Sequence, residues 1–201
     1  MIKNVIFDFG KVLVQFEPEY MTSRFIDDKD DIELVSKVLF DRLYWDRLDE
    51  GTISDKQVIE ESCKRLPLRL HKAAEDIYNN WVYNLPEICG MRELLQKLKS
   101  NGIRLFLLSN ISKNFAEKSG DISILSYFEK CIFSAVCGYT KPSLEIFNHL
   151  FEQCDIKAEE SIFIDDSQIN IDGAKKAGLS TYLFDGDSKK LEAFLITNKI
   201  L

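Results

Sequence analysis

The sequence predicts an α/β fold: a Rossmann-like parallel sheet of about five strands with helices on both faces, and a small helical insertion after the first strand. Three observations lead there. Apolar runs of strand length alternate with segments of helical period over most of the chain. One long stretch near the N-terminus has helical periods and no strand pattern. Polar residues directly follow several of the apolar runs, which is where open parallel sheets bind their ligands. At 201 residues the chain can bury one sizeable core and still carry a small insertion.

The first run, Val5-Ile6-Phe7, reads as a fully buried strand, with Asp8 at its carboxyl end. An aspartate in that position can cap a helix, form a turn or do chemistry, and the strand alone does not choose among them. Gly10 permits a sharp turn, after which Val12-Leu13-Val14 leaves the sheet as a turn or short hairpin, with Lys11 towards solvent.

From Phe16 to Leu85 the periods are helical. Phe25 and Ile26 face one way in the first segment, and Ile32, Val35, Val38 and Leu39 form a stripe in the second. Between them, Asp27 to Asp31 reads as a solvated turn and N-terminal cap, not an acidic metal loop. Gly51 ends a helix, and Ser54 with Gln57 forms a capping box for the next, which runs to Leu66. Leu68 to Leu85 reads as one longer helix whose aromatic stripe, with Trp45, Tyr78, Trp81 and Tyr83, packs a small bundle or lines a pocket.

At Pro86 alternation resumes. Met91, Leu94, Leu95 and Leu98 make a helix face, Gly102 ends that helix, and Ile103 to Leu108 forms a buried strand followed by Ser109 and Asn110. Cys131 to Ala135 is the next strand. Lys141-Pro142 follows, with Pro142 in the first turn of a helix lined by Ile146, Phe147, Leu150, Phe151 and Cys154. Ile162 to Ile164 is a strand ending in Asp165 and Asp166, and Thr181 to Phe184 is the last. The polar ends of three strands, with Lys141 after a fourth, could all meet above one sheet edge.

Composition limits the partners. A net charge of −7 disfavours nucleic acid, which selects clustered Lys and Arg, but leaves room for a small phosphate beside one lysine and a cation. With no membrane span and no cleavable leader pattern, a cytoplasmic location is expected. Five cysteines without a Cys-x-x-Cys spacing read as buried thiols. The two histidines, His71 and His149, fall in separate helical patterns, which makes zinc or a histidine triad a poor fit.

Taken together, VIFDFGKVLV, LFLLSN, Lys141-Pro142 and FIDDSQIN resemble the four ordered motifs of the haloacid dehalogenase superfamily over nearly the whole chain. The resemblance implies an α/β core of residues 1–15 and 86–201, with 16–85 as the helical cap. It implies a Mg²⁺-dependent phosphatase of a small phosphorylated metabolite, in which Asp8 attacks phosphorus and forms an aspartyl-phosphate. The metal would be held by Asp8, the Gly10 carbonyl and Asp166, with Asp165 close by and Asn170 in the surrounding shell. Ser109 and the Asn110 amide would bind phosphoryl oxygens, and Lys141 would pair with Asp8 and the transferring group.

One position departs from the pattern. Most phosphatases of that superfamily carry a second aspartate two residues after the nucleophile as general acid and base, and here it is Gly10. Such help is typically worth about 10² to 10⁴ in rate, so its loss disfavours poor leaving groups. The Asp-Phe-Gly start, with Gly-Thr-Ile-Ser-Asp in the cap, also resembles a bacterial sugar-phosphate phosphatase branch that includes glucose-1-phosphate phosphatases. An anomeric oxygen leaves more readily than a primary alkoxide, so a preference for glucose 1-phosphate over glucose 6-phosphate is expected. Two other classes stay open: a metal-independent 2-haloacid dehalogenase, and a fold that binds a phosphorylated ligand without turning it over. Arg42, Trp45, Arg47 and Lys56, near Gly51, are candidate substrate contacts, with packing or solvated roles as the alternative. Hinges are expected near Gln15 to Pro18 and Leu85 to Glu87.

Overall fold

Strands β1 (Asn4–Phe7), β2 (Arg104–Ser109), β3 (Lys130–Phe133), β4 (Ser161–Asp165) and β5 (Ser180–Leu183) form one parallel sheet in the order β3-β2-β1-β4-β5 in the computed structural model, which describes all residues from Met1 to Leu201. The chain builds outward from β1 through β2 to β3, then crosses to the other side of β1 for β4 and β5. That reversal opens a crevice at the carboxyl ends of the central strands. Phe7 is in register with both Leu107 and Ile164, so Asp8 and Asp165 leave the sheet at the same level.

Helices α1 (Pro18–Ser23), α2 (Lys29–Leu39), α3 (Arg42–Asp49), α4 (Asp55–Arg65) and α5 (His71–Asn80) fill the chain between β1 and Pro86 without a strand. They are followed by α6 (Met91–Ser100), α7 (Lys113–Lys118), α8 (Ser134–Cys137), α9 (Leu144–Cys154), α10 (Gln168–Lys176) and α11 (Ser188–Thr197). Alternate strand residues serve opposite faces, as a pleated strand requires. Ile6, Phe106, Leu108 and Phe163 pack on α9 and α10 in a cluster of 13 buried residues. Val5, Phe7, Leu105, Leu107, Ile162 and Ile164 belong to a cluster of 37 that takes in α6 and α11 and runs on into the helical segment.

That continuity passes through aromatic rings. Phe16 meets Phe40, Trp45 and Trp81 edge-on at 6.0, 5.7 and 5.8 Å, and Phe115 of α7 stacks on Trp81 at 5.7 Å and meets Phe9 at 4.8 Å. The helical segment therefore shares its apolar core with the sheet. Its two crossings lie side by side, tied by Gln15 N–H to the Pro86 carbonyl at 2.7 Å and Ile88 N–H to that of Leu13 at 2.9 Å.

Local signals held at several points. Ser54 and Gln57 form the capping box of α4, Gly51 at φ +70° closes α3, and the Asp28 side chain caps α2. Asp31, however, is buried and forms a two-pronged ion pair with Arg69, so the acidic run is not all solvated. Phe25 is exposed, while Met21 and Thr22 give α1 its buried side.

Four expectations need correction. Leu68 to Leu85 is not one helix: α5 stops at Asn80 and is flanked by 3-10 turns at Leu68–Leu70 and Trp81–Tyr83. Asn80 donates to the Asp76 carbonyl and Asn84 to that of Asn80, the local side-chain bonding by which Asn competes with regular helix. Tyr83 consequently turns outward and is not core. β3 ends at Phe133, because the Ser134 hydroxyl bonds to the Ile111 amide and the chain coils into α8. Pro142 precedes α9, whose N-cap is Ser143, and it packs instead on Gly173, where a Cβ would come within 2.5 Å of the Pro142 carbonyl oxygen. Of the cysteines only Cys154 is buried, and Cys89 is exposed. No helix is long and apolar enough to cross a membrane.

Candidate active site

A cleft of about 650 Å³ lies over the crevice and is bordered by Asp8, Gly10, Ser109, Asn110, Lys141, Asp166 and Asn170. Its floor is a chain of buried charges. Lys141 Nζ donates to Asp8 Oδ1 at 2.6 Å and to Asp165 Oδ2 at 2.7 Å. Asp165 is fully buried, and its oxygens also accept from the Ser167 amide at 2.8 Å and from Asn170 Nδ2 at 3.1 Å. Asp165, itself held by Asn170, thus holds Lys141 from behind and leaves Asp8 and Asp166 facing the cleft.

Burial pushes the Asp8 carboxyl up to about 6 against the pull of Lys141, with Asp165 adding to the rise. Burial pulls the Lys141 ammonium down, but Asp8 and Asp165 outweigh it, and its affinity for the proton lies above the ordinary lysine value. Asp166 is raised by burial and by Asp165.

Sheet ends place the remaining donors. Ser109 closes β2, nearly buried, with its hydroxyl unclaimed by other protein groups. The Asn110 amide N–H likewise donates to no carbonyl. The Asn110 side chain serves a different purpose. Its Oδ1 accepts from the Lys141 amide at 2.8 Å and its Nδ2 donates to the Lys141 carbonyl at 3.0 Å, clamping the backbone that carries the lysine.

Asp8, Asp165 and Asp166 each bring a carboxylate oxygen within 4.8 Å of the others, and the Gly10 carbonyl accepts no backbone hydrogen bond. A hard, all-oxygen donor set of this kind suits Mg²⁺. Because Asp165 is already saturated by Lys141, Asn170 and Ser167, the oxygens left open belong to Asp8, Gly10 and Asp166. Gly10 is not forced by the backbone or by crowding: its φ is not positive, and a Cβ there would come no nearer than 3.9 Å to Phe16 Cβ.

Of the four cap candidates, Arg42 and Trp45 border the cleft, whereas Arg47 and Lys56 are exposed elsewhere, Lys56 beside Glu60. Trp45 and Trp81 are both core and cleft wall, so the two readings of the aromatic stripe do not exclude each other. Lys11 is exposed as expected, at φ 59°, and stands at the cleft mouth.

Sequence patterns alone passed over Asp49. This last residue of α3 borders the cleft. Burial pushes its carboxyl up to about 7, with Arg42 opposing, Asp46 adding, Lys141 opposing and Asp8 adding. A signal was present in the chain: a carboxylate in the last turn of a helix meets the negative end of the macrodipole, a placement that needs a reason.

The sequence profile described as haloacid dehalogenase-like hydrolase matches residues 45–184. Among curated proteins, D-ribitol-5-phosphate phosphatase of Bacteroides thetaiotaomicron is 27% identical over 190 residues, covering 90% of this chain and 91% of that one. The phosphorylated carbohydrates phosphatase of Thermotoga maritima is 25% identical over 181 residues, covering 89% and 82%. Among solved structures, a wild-type haloacid dehalogenase family enzyme of Bacteroides thetaiotaomicron in complex with magnesium and inorganic phosphate superposes with a TM-score of 0.71 at 24% identity, covering 95% of this chain and 99% of that one. L-2-haloacid dehalogenase of Xanthobacter autotrophicus gives 0.68 at 17% identity, covering 100% and 85%, a likeness of fold alone. With a family match over most of its length, on a sheet whose central strands end in these charges, the chain belongs to the haloacid dehalogenase-like hydrolases.

Proposed function

We propose that the chain is a Mg²⁺-dependent phosphatase of a small phosphorylated metabolite, a sugar or polyol phosphate, acting through an aspartyl-phosphate on Asp8. The observation that carries the reading is the Asp8-Lys141-Asp165 chain of hydrogen bonds beside the open oxygens of Asp166 and Gly10. Asp8 Oδ1 is held by Lys141, which leaves the other carboxylate oxygen for attack on phosphorus. Ser109 and the Asn110 amide stand ready for the phosphoryl oxygens, and the Lys141 charge opposes the negative charge that builds during transfer. Mg²⁺ held by Asp8, Asp166 and the Gly10 carbonyl would reduce repulsion between the two anions.

In this reading residues 16–85 act as a cap that seats over the phosphoryl site and meets the rest of the substrate with Arg42 and Trp45. The adjacent crossings at Gln15 and Pro86 suit a hinge. The named relatives act on phosphorylated carbohydrates, which supports the substrate class.

The test is phosphate release from ribitol 5-phosphate, glucose 1-phosphate, glucose 6-phosphate, nucleotides and p-nitrophenyl phosphate, with and without Mg²⁺, by the wild type and Asp8→Asn. Mg²⁺-dependent release that disappears in Asp8→Asn is expected. Halide release from a 2-haloacid without Mg²⁺, or phosphate binding with no release from any ester, would overturn the reading.

A further inference from the structure

We infer that Asp49, carried by the cap helix α3, supplies the proton to the leaving-group oxygen, a role for which position 10 has no side chain. The inference rests on the phosphatase reading above and adds to it a residue from outside the four core motifs.

Asp49 and Asp8 border the same cleft, with Lys141 and Arg42. The Asp49 carboxylate is half-buried and engages no partner in a hydrogen bond or ion pair. Arg42, the one basic side chain at hand on α3, pairs instead with Asp46 at 2.6 Å. A half-buried carboxyl without a protein partner costs stability, and a role in the cleft would account for its being there.

Its backbone is fixed to the sheet. The Asp49 carbonyl accepts from the Ser134 hydroxyl at 2.5 Å, and Gly51, two residues on, lies so near Ala135 that a Cβ would be 3.1 Å from the Ala135 carbonyl oxygen. The end of α3 is thus held against the core over the site, unlike the exposed Arg47 and Lys56.

The surroundings favour a carboxyl that still carries its proton. Facing Asp49 are Arg42 and Asp46 from α3, Asp8 and Lys141 from the core, and Tyr78 from α5, whose hydroxyl is already given to Asp55 at 2.7 Å. α8 brings only Cys137, whose thiol faces the Ser134 and Tyr139 carbonyls. With burial dominant, the group titrates at about 7, close to the operating range of a general acid.

The step balances. Asp8 bonds to phosphorus as the bond from phosphorus to the ester oxygen breaks. The electron pair passes to that oxygen, which takes the proton from Asp49. In the second half a water oxygen bonds to phosphorus as the bond from phosphorus to the Asp8 oxygen breaks, Asp49 takes a proton from that water, inorganic phosphate leaves, and the Asp8 carboxylate is regenerated. With Asp49 in this role, the anomeric preference expected from Gly10 is no longer required, and esters with poorer leaving groups come within reach.

Comparing kcat/KM for phenyl phosphate and p-nitrophenyl phosphate tests this, because kcat/KM reports only the steps through ester cleavage, and phenolate is much the poorer leaving group. Asp49→Asn is expected to slow phenyl phosphate by about 100-fold and p-nitrophenyl phosphate by only about fivefold, within the usual reach of acid catalysis. Gly10→Asp in the Asp49→Asn background should recover at least about tenfold on phenyl phosphate, since the site has room for a side chain at position 10. The wild-type profile for phenyl phosphate should fall as pH rises through about 7, where Asp49 loses its proton, and that limb should be absent in Asp49→Asn. Equal slowing of both esters with an unchanged pH profile would overturn the inference while leaving the phosphatase reading intact. No Asp8-dependent cleavage of either ester by the wild type would overturn both.

Discussion

The floor and the wall of the cleft are built on different terms. On the floor, Lys141, Asp8, Asp165, Asn170 and Asn110 hold one another through six hydrogen bonds of 2.6 to 3.1 Å, and Lys141 and Asp165 are almost wholly shielded from water. On the wall, Trp45 and Trp81 are placed mainly by packing, with one hydrogen bond from Trp45 Nε1 to the Leu39 carbonyl at 2.6 Å, and Asp49 is tethered by one hydroxyl at its carbonyl while its carboxyl is left free. The floor is fixed in one arrangement, as attack at a defined phosphorus requires. No wall side chain is hydrogen-bonded to that arrangement, so in the proposed reading the surface that would choose among substrates is separate from the one that reacts.

The sharpest way to break the contrast is to remove the floor's cation. Lys141→Ala leaves Asp8 and Asp165 buried and close together, and breaking such a pair typically costs about 3–5 kcal/mol of stability. We expect phosphatase activity to drop at least about 10³-fold with Mg²⁺ present. Urea unfolding and phosphate release check both figures, and a variant of near-normal activity would show that the floor is not a unit.

Phe115→Ala probes the joint between wall and floor. Its ring is fully buried against Phe9, Trp81 and Phe133, and the loss should be about 3 kcal/mol by thermal or urea unfolding, the low end for such truncations. The smallest effect is expected from Ser134→Ala, which removes the tether of α3. A cost of about 1–2 kcal/mol in stability is expected, with a larger fall in activity on phenyl phosphate than on p-nitrophenyl phosphate. An equal fall on both would mean that the tether serves only the fold.

The same contrast governs what the sequence makes legible. Asp8, Ser109 and Asp165 follow apolar runs, and a parallel sheet brings such positions to one edge whatever the rest of the chain does. The sheet and its neighbouring helices are legible for that reason. Lys141 follows no strand directly, and only the motif resemblance marks it. The Asn110 clamp depends on side-chain direction relative to a residue 31 positions away, which neither period nor spacing encodes. Asp49 is hidden for a related reason: periodicity tells which face of α3 is apolar, but not which face looks onto a sheet contributed by distant segments. The break at Asn80 escapes notice because apolar spacing continues through Trp81 while the local polar bonding does not permit the helix to follow.

The aromatic joint has a further consequence. The chain has two tryptophans, Trp45 and Trp81, and both lie there, with ring centroids 5.1 Å apart and Phe16 against each. Any change in how the helices seat on the sheet alters the surroundings of every indole the molecule possesses. If the helical segment closes over a ligand as proposed, ultraviolet emission colour and brightness should report that closure with no label attached.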